Sequence, residues 1–82
     1  MLTTQINYEY NSMFDILYIK LENSNDSYGH EDDCGIVLNY DFKTKNLVRI
    51  DIWDFKFRIQ NNEEISLPIF IDLHEIYKSL PN

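Results

Sequence analysis

Alanine is absent from this 82-residue chain, glycine and proline occur twice each, and there is one cysteine. With a single cysteine no intramolecular disulfide forms, and a lone thiol fits a reducing compartment, so the expected location is cytoplasmic. Two glycines cannot build a glycine-rich phosphate cradle, which removes the usual route to nucleotide binding. No stretch approaches the ~20 apolar residues of a bilayer-spanning helix. The opening MLTTQINYEY has neither the basic region nor the apolar run of a secretory signal, so membrane insertion and export are not expected. Cations are scarce too: seven Lys and Arg against fourteen Asp and Glu leave a net charge of −7. Such a chain repels phosphate, so direct nucleic-acid binding and anionic lipid are disfavoured, and a basic partner protein is favoured.

What is present is apolar and aromatic material, 44% and 15% of the residues. That is enough for one domain over residues 1–82, near the size at which a single core is marginal, so a homodimer is also expected. Ile6, Tyr8 and Tyr10 alternate with polar residues, as do Leu17, Ile19 and Leu21 after the Asn11-Ser12 turn, predicting a β-hairpin over 5–22. From 22 to 33 the apolar period disappears and an acidic loop is expected. Ile36, Leu38, Tyr40 and Phe42, then Val48, Ile50 and Ile52, predict a second hairpin within 35–59. Beyond it Trp53, Phe55, Phe57 and Ile59 alternate with the opposite parity, which predicts a bulge, bend or break near Trp53-Asp54. Residues 65–71 read as a further extended segment that Pro68 confines to an edge or an irregular stretch. Asp72 with Glu75 has the form of a capping box before Leu73, Ile76, Tyr77 and Leu80, predicting a helix over 72–80 that ends before Pro81. The expected fold is α+β: a small antiparallel sheet of about four or five strands with one C-terminal helix on one face.

The most chemically loaded stretch is NDSYGHEDDCG, residues 25–35. His30 and Cys34, with neighbouring carboxylates and His74 from the helix, are candidate zinc ligands; Gly29 and Gly35 argue against a helix to present them. Asp26, Glu31, Asp32 and Asp33 offer oxygens to calcium, without the alternation of its usual loop. Cys34 as a nucleophile would need a base and an electropositive setting, and its neighbours are acids. Asp51 with Asp54 could do acid–base work in a dry pocket; on a strand whose other face is apolar, Asp51 reads better as an outer-face residue paired with a cation such as Lys20. Trp53, Phe55 and Phe57 are core or self-association rings, or anchors for a partner, with Tyr18 as an added outer-face contact.

The segment YNSMFDILYIKL resembles the opening of a family of small uncharacterised bacterial proteins, domain of unknown function 2283, through Tyr10, Asp15, Leu17, Tyr18 and Ile19. Asn11 replaces the family's aspartate, and Phe14 and Ile16 stand where small residues are common. GIVLNYD and LVRIDIWDF continue the likeness through Gly35, Ile36, Leu38, Tyr40, Asp41, Val48, Ile50, Asp51 and Ile52, so that it covers residues 8–55. The resemblance implies a small β-rich domain without assigned catalytic residues, often encoded beside toxin-like partners.

The functional expectation is a non-catalytic acidic protein-binding module or inhibitor, antitoxin-like by that resemblance. It would use no cofactor or metal and would dock on a basic partner through Tyr28, Glu31, Asp32, Asp33, Trp53 and Asp54. The alternatives are a phage-type inhibitor that mimics nucleic-acid charge, and a metal-dependent enzyme using His30 and Cys34.

Overall fold

Alternating aliphatics need a sheet with one covered face, and the chain builds one. The computed structural model describes residues 7–81. Strands β1 (Asn7–Asn11), β2 (Ile16–Lys20), β3 (Ser27–Asp33), β4 (Ile36–Asp41) and β5 (Leu47–Trp53) form one antiparallel sheet in the order β1-β2-β5-β4-β3. Two helices follow, α1 (Phe55–Gln60) and α2 (Leu73–Ser79). Ile6, assigned to the first strand by its pattern, lies outside the described residues.

The register explains the core. Leu17, Ile52 and Ile36 lie abreast on β2, β5 and β4, and so do Ile19, Ile50 and Leu38. All six are buried, with Phe55 and Ile59 from α1, Ile71, and Leu73 and Ile76 from α2 closing over them. Each such side chain contributes about 1.5–3 kcal/mol by leaving water. Tyr10 and Tyr77 pack edge-on against Phe55, each with centroids 6.4 Å apart, and the Tyr8 hydroxyl meets Ser79 Oγ at 2.6 Å. The helices thus cover one face of the sheet.

Three expectations change. The acidic stretch is not a loop over 22–33: its second half is strand β3, paired with β4 from Ser27↔Asp41 to Asp33↔Ile36. An edge strand whose side chains are exposed on both sides has no apolar period to show. The second hairpin does not run to 59. The chain breaks where the parity slips, with Asp54 in the left-handed region at φ 57°, but the continuation is a helix. Phe55 and Ile59, four residues apart, are its buried pair, while Phe57 is 57% exposed. The C-terminal helix is therefore one of two. Residues 65–71 form no regular element: the chain bends at Pro68 and Ile69, and the segment pairs with no strand, so it is the irregular stretch and not an edge strand.

At the C-terminus the reading holds. The Asp72 carboxylate accepts the Glu75 amide at 3.1 Å, and α2 ends at Ser79 with Leu80 extended before Pro81.

Candidate functional site

Topology gathers three junctions at one end of the sheet: the β1–β2 turn (residues 12–15), the Cys34-Gly35 turn between β3 and β4, and the passage from β5 into α1. The first turn is held by Asn11, whose Oδ1 accepts the amides of Met13 at 3.0 Å and Phe14 at 3.1 Å. Asp15, left-handed at φ 56°, then turns its carboxylate toward α1. It accepts the Lys56 amide at 2.8 Å, the Phe57 amide at 3.3 Å and the Tyr10 hydroxyl at 2.6 Å. Asp54 makes no side-chain cap, so Asp15 caps α1 from a distant part of the chain. Burial, first, and then the Asp15 carboxylate push the Tyr10 hydroxyl up to about 12.

The second junction is fastened by Arg58, which donates to the Trp53 carbonyl at 2.7 Å and to the Cys34 carbonyl, and pairs with Glu63 at 3.7 Å. Trp53 in turn donates its amide to the Gly35 carbonyl at 2.8 Å. Gly35 has φ 83°, which demands glycine, and a Cβ there would stand 2.5 Å from Arg58 Nη2, so the guanidinium would have to shift. The bulge at Asp32, between the pairs Glu31↔Val37 and Asp33↔Ile36, brings β3 into this turn, and Glu31 Oε2 accepts the Gly35 amide at 3.0 Å.

On this stapled end the large apolar side chains remain uncovered: Met13 is 82% exposed, Phe14 63%, Phe57 57% and Trp53 49%. Ile16, opposite Trp53 on β2, is buried beside them. Glu31, Asp32 and Asp54, at the same end of the sheet, are exposed as well. The cations nearest by sequence are occupied, Arg58 as described and Lys56 on the Pro81 carbonyl at 3.0 Å. Cys34, Asp54, Phe57, Arg58 and Glu63 line an open cleft at this end. Large apolar side chains and carboxylates thus stand exposed at the same end of the sheet.

The predicted residues divide. Glu31, Asp32, Trp53 and Asp54 belong to this end. Asp33 closes β3 by its backbone, and its side chain lies outside the described residues. Tyr28 is at the opposite end of β3, where its ring packs on Tyr40 and Phe42 (5.8 and 4.9 Å) with Lys45 Nζ 5.6 Å above it. Phe55 is in the core. Met13 and Phe14 escaped sequence reasoning because a turn residue carries no period; the only signal was two large apolar side chains inside a turn.

The other candidate chemistry is dispersed. His30 is an exposed β3 residue opposite Leu38, and Cys34 is exposed at the turn. His74 lines a different cleft, with Glu64 and Asp72. Among the described residues no three His, Cys, Asp or Glu side chains are grouped to hold a metal ion. Asp51 is indeed on the outer face, but its partner is Arg49, not Lys20. Arg49 grips it with two hydrogen bonds of 2.8 and 3.0 Å, Asn39 adds one at 3.3 Å, and Lys20 pairs instead with Glu9. Tyr18 lies beneath this group, with the Arg49 guanidinium 5.6 Å from its ring. Gly29 is small because a Cβ there would come within 3.0 Å of both Asn39 Oδ1 and Val37 Cγ1.

None of the helices among the described residues is long and apolar enough to cross a membrane. Compared with protein-family models, with curated proteins and with solved structures, the chain finds no match.

Proposed function

We propose that the protein is a non-catalytic binding module that docks on a basic partner protein through the end of the sheet bearing Phe14, Trp53 and Phe57. The observation that carries this is the exposure of those three rings at hydrogen-bonded junctions, with Glu31, Asp32 and Asp54 exposed at the same end of the sheet. Rings on a prefixed backbone bind with little ordering cost, and carboxylates around them speed encounter with a cationic surface. An inhibitor or antitoxin-like role is the form of this function that the family resemblance suggests.

The charge-mimic alternative needs an unbroken stripe of carboxylates. Lys20 and Arg49 instead occupy the open sheet face, tied to Glu9 and Asp51, which favours a patch with an apolar centre.

The test is affinity capture from native-host extract with a photo-crosslinking residue at position 14, compared among wild type, Trp53→Ala and the triple variant Glu31→Gln, Asp32→Asn, Asp54→Asn. Crosslinking to one basic protein, with Trp53→Ala weakening it by at least about 2 kcal/mol and the triple variant slowing association, is the expected result. Capture unchanged in both variants would refute this placement of the interface.

A further inference from the structure

Strand β3 is the outermost strand on its side of the sheet, and every residue from Ser27 to Asp32 is exposed. Its register fixes which backbone groups face outward. Phe42 donates its amide to the Asp26 carbonyl at 3.0 Å, so the pairs in step with it, Tyr28↔Tyr40 and His30↔Leu38, are the hydrogen-bonded ones. Ser27, Gly29 and Glu31 therefore turn their N–H and C=O groups off the sheet, where among the described residues no further strand lies. Gly29, the middle of the three, has no side chain to stand over its own amide and carbonyl. Sheet edges are commonly blunted by proline, by lysine or by shortness, and β3 has seven residues with neither proline nor lysine among them. The charge around it is of one sign: from residue 21 to residue 42 the chain holds Glu22, Asp26, Glu31, Asp32, Asp33 and Asp41 and no Lys or Arg.

We infer that the β3 edge accepts an extended basic segment of the partner protein as an added strand. This rests on the basic-partner reading and specifies how the contact is made. The outward backbone groups supply the pairing, and charge selects what pairs. Asp26, Glu31 and Asp32, exposed along the strand, favour Lys or Arg on the incoming segment, because opposite charges on neighbouring strands attract. The same carboxylates deter a second copy of the chain, whose edge carries the same sign, and they repel nucleic acid. The regular run from Ser27 to Glu31, before the bulge at Asp32, spans about 16 Å, a seam well below standard interface size, so the strand alone binds weakly. It leads into the Cys34-Gly35 turn at the end of the sheet that carries Trp53, which lets one partner reach both surfaces.

The test is amide hydrogen exchange of the wild-type chain, read by NMR, with synthetic peptides of about seven residues: one alternating Lys and Thr, the same peptide N-methylated at every residue, and one alternating Glu and Thr. The Lys-Thr peptide should slow exchange at the Ser27, Gly29 and Glu31 amides saturably, and several-fold more than at Tyr28 and His30, whose amides already bond to β4. Raising salt from about 0.05 to about 0.5 M should weaken the effect. The N-methylated peptide, which cannot donate to a ladder, and the acidic peptide should leave the edge unprotected. Trp53→Ala should leave the pattern unchanged. No selective slowing at the three outward amides at millimolar peptide, or equal slowing by the N-methylated or the acidic peptide, overturns strand addition. The capture experiment reads the intact partner and fails separately: capture as expected without edge protection leaves the basic-partner reading standing and removes only this mode of contact.

Discussion

Asp15→Ala should be among the most damaging changes available at an exposed turn, and the loss can be apportioned from the structure. The carboxylate caps α1 through the amides of Lys56 and Phe57 and accepts the Tyr10 hydroxyl. Losing a helix cap costs about 1 kcal/mol. Leaving the part-buried Tyr10 hydroxyl without its acceptor costs about 1 more. Alanine held at the φ of 56° that Asp15 adopts adds about 1 kcal/mol of strain. Together these give about 3 kcal/mol, and in a domain of this size each kcal/mol lowers Tm by about 4–8 °C. Asp15→Gly relieves the strain and should lose about 2 kcal/mol. Asp15→Asn tolerates the left-handed backbone and keeps an acceptor oxygen, so its loss should be about 1 kcal/mol. Urea titration followed by circular dichroism would measure the order Asn, Gly, Ala. An alanine variant within about 0.5 kcal/mol of wild type, or one no worse than glycine, would refute the assignment of Asp15 as the cap of α1.

The same carboxylate leaves a spectroscopic trace. Burial and the Asp15 carboxylate push the Tyr10 hydroxyl from 10.0 up to about 12, so its contribution to stability should be present below pH 10 and lost as pH rises through about 12. In Asp15→Asn its tyrosinate absorbance should appear at lower pH, with burial still holding it above the ordinary value. Asp41 gives the acid counterpart: the Ser24 hydroxyl, followed by the Thr44 and Lys43 amides, holds its carboxyl down to about 2 from 3.8. That stability is present above about pH 4 and lost as pH falls toward 2, so Asp41→Asn should flatten this part of the acid-unfolding profile. Gly35→Ala should cost about 2 kcal/mol or more, from its φ and the displaced Arg58. In a double-mutant cycle with Arg58→Ala the two losses should fall short of additive; full additivity would mean that the guanidinium does not crowd that turn.

β2, β4, β5 and α2 were legible because each buries one side of a regular period, and β1 because its tyrosines alternate with polar residues although none of its residues is fully buried. Ile50 and Ile52 face the core while Arg49 and Asp51 face away, and the text of β5 shows it. β3 was illegible for the opposite reason: with Tyr28, His30 and Glu31 all exposed, burial imposes no pattern. In α1 the sequence offered Phe55, Phe57 and Ile59, which satisfy a strand period, and only the structure shows that the pair four apart is the buried one. At the candidate site, Trp53 and its acidic neighbours could be read from composition and parity. The Asp15 cap could not, because donors and acceptor lie 41 and 42 residues apart. A pattern read over a dozen residues has no access to such a contact.

That separation also has a kinetic meaning. Six residues are too few to sustain an isolated helix in water, and α1 has no side-chain N-cap of its own. Its order therefore waits for the β1–β2 turn to be in place, which makes it a late arrival on the folding route. Mutations at the Asp15 contact should mainly hasten unfolding and leave the refolding rate close to wild type.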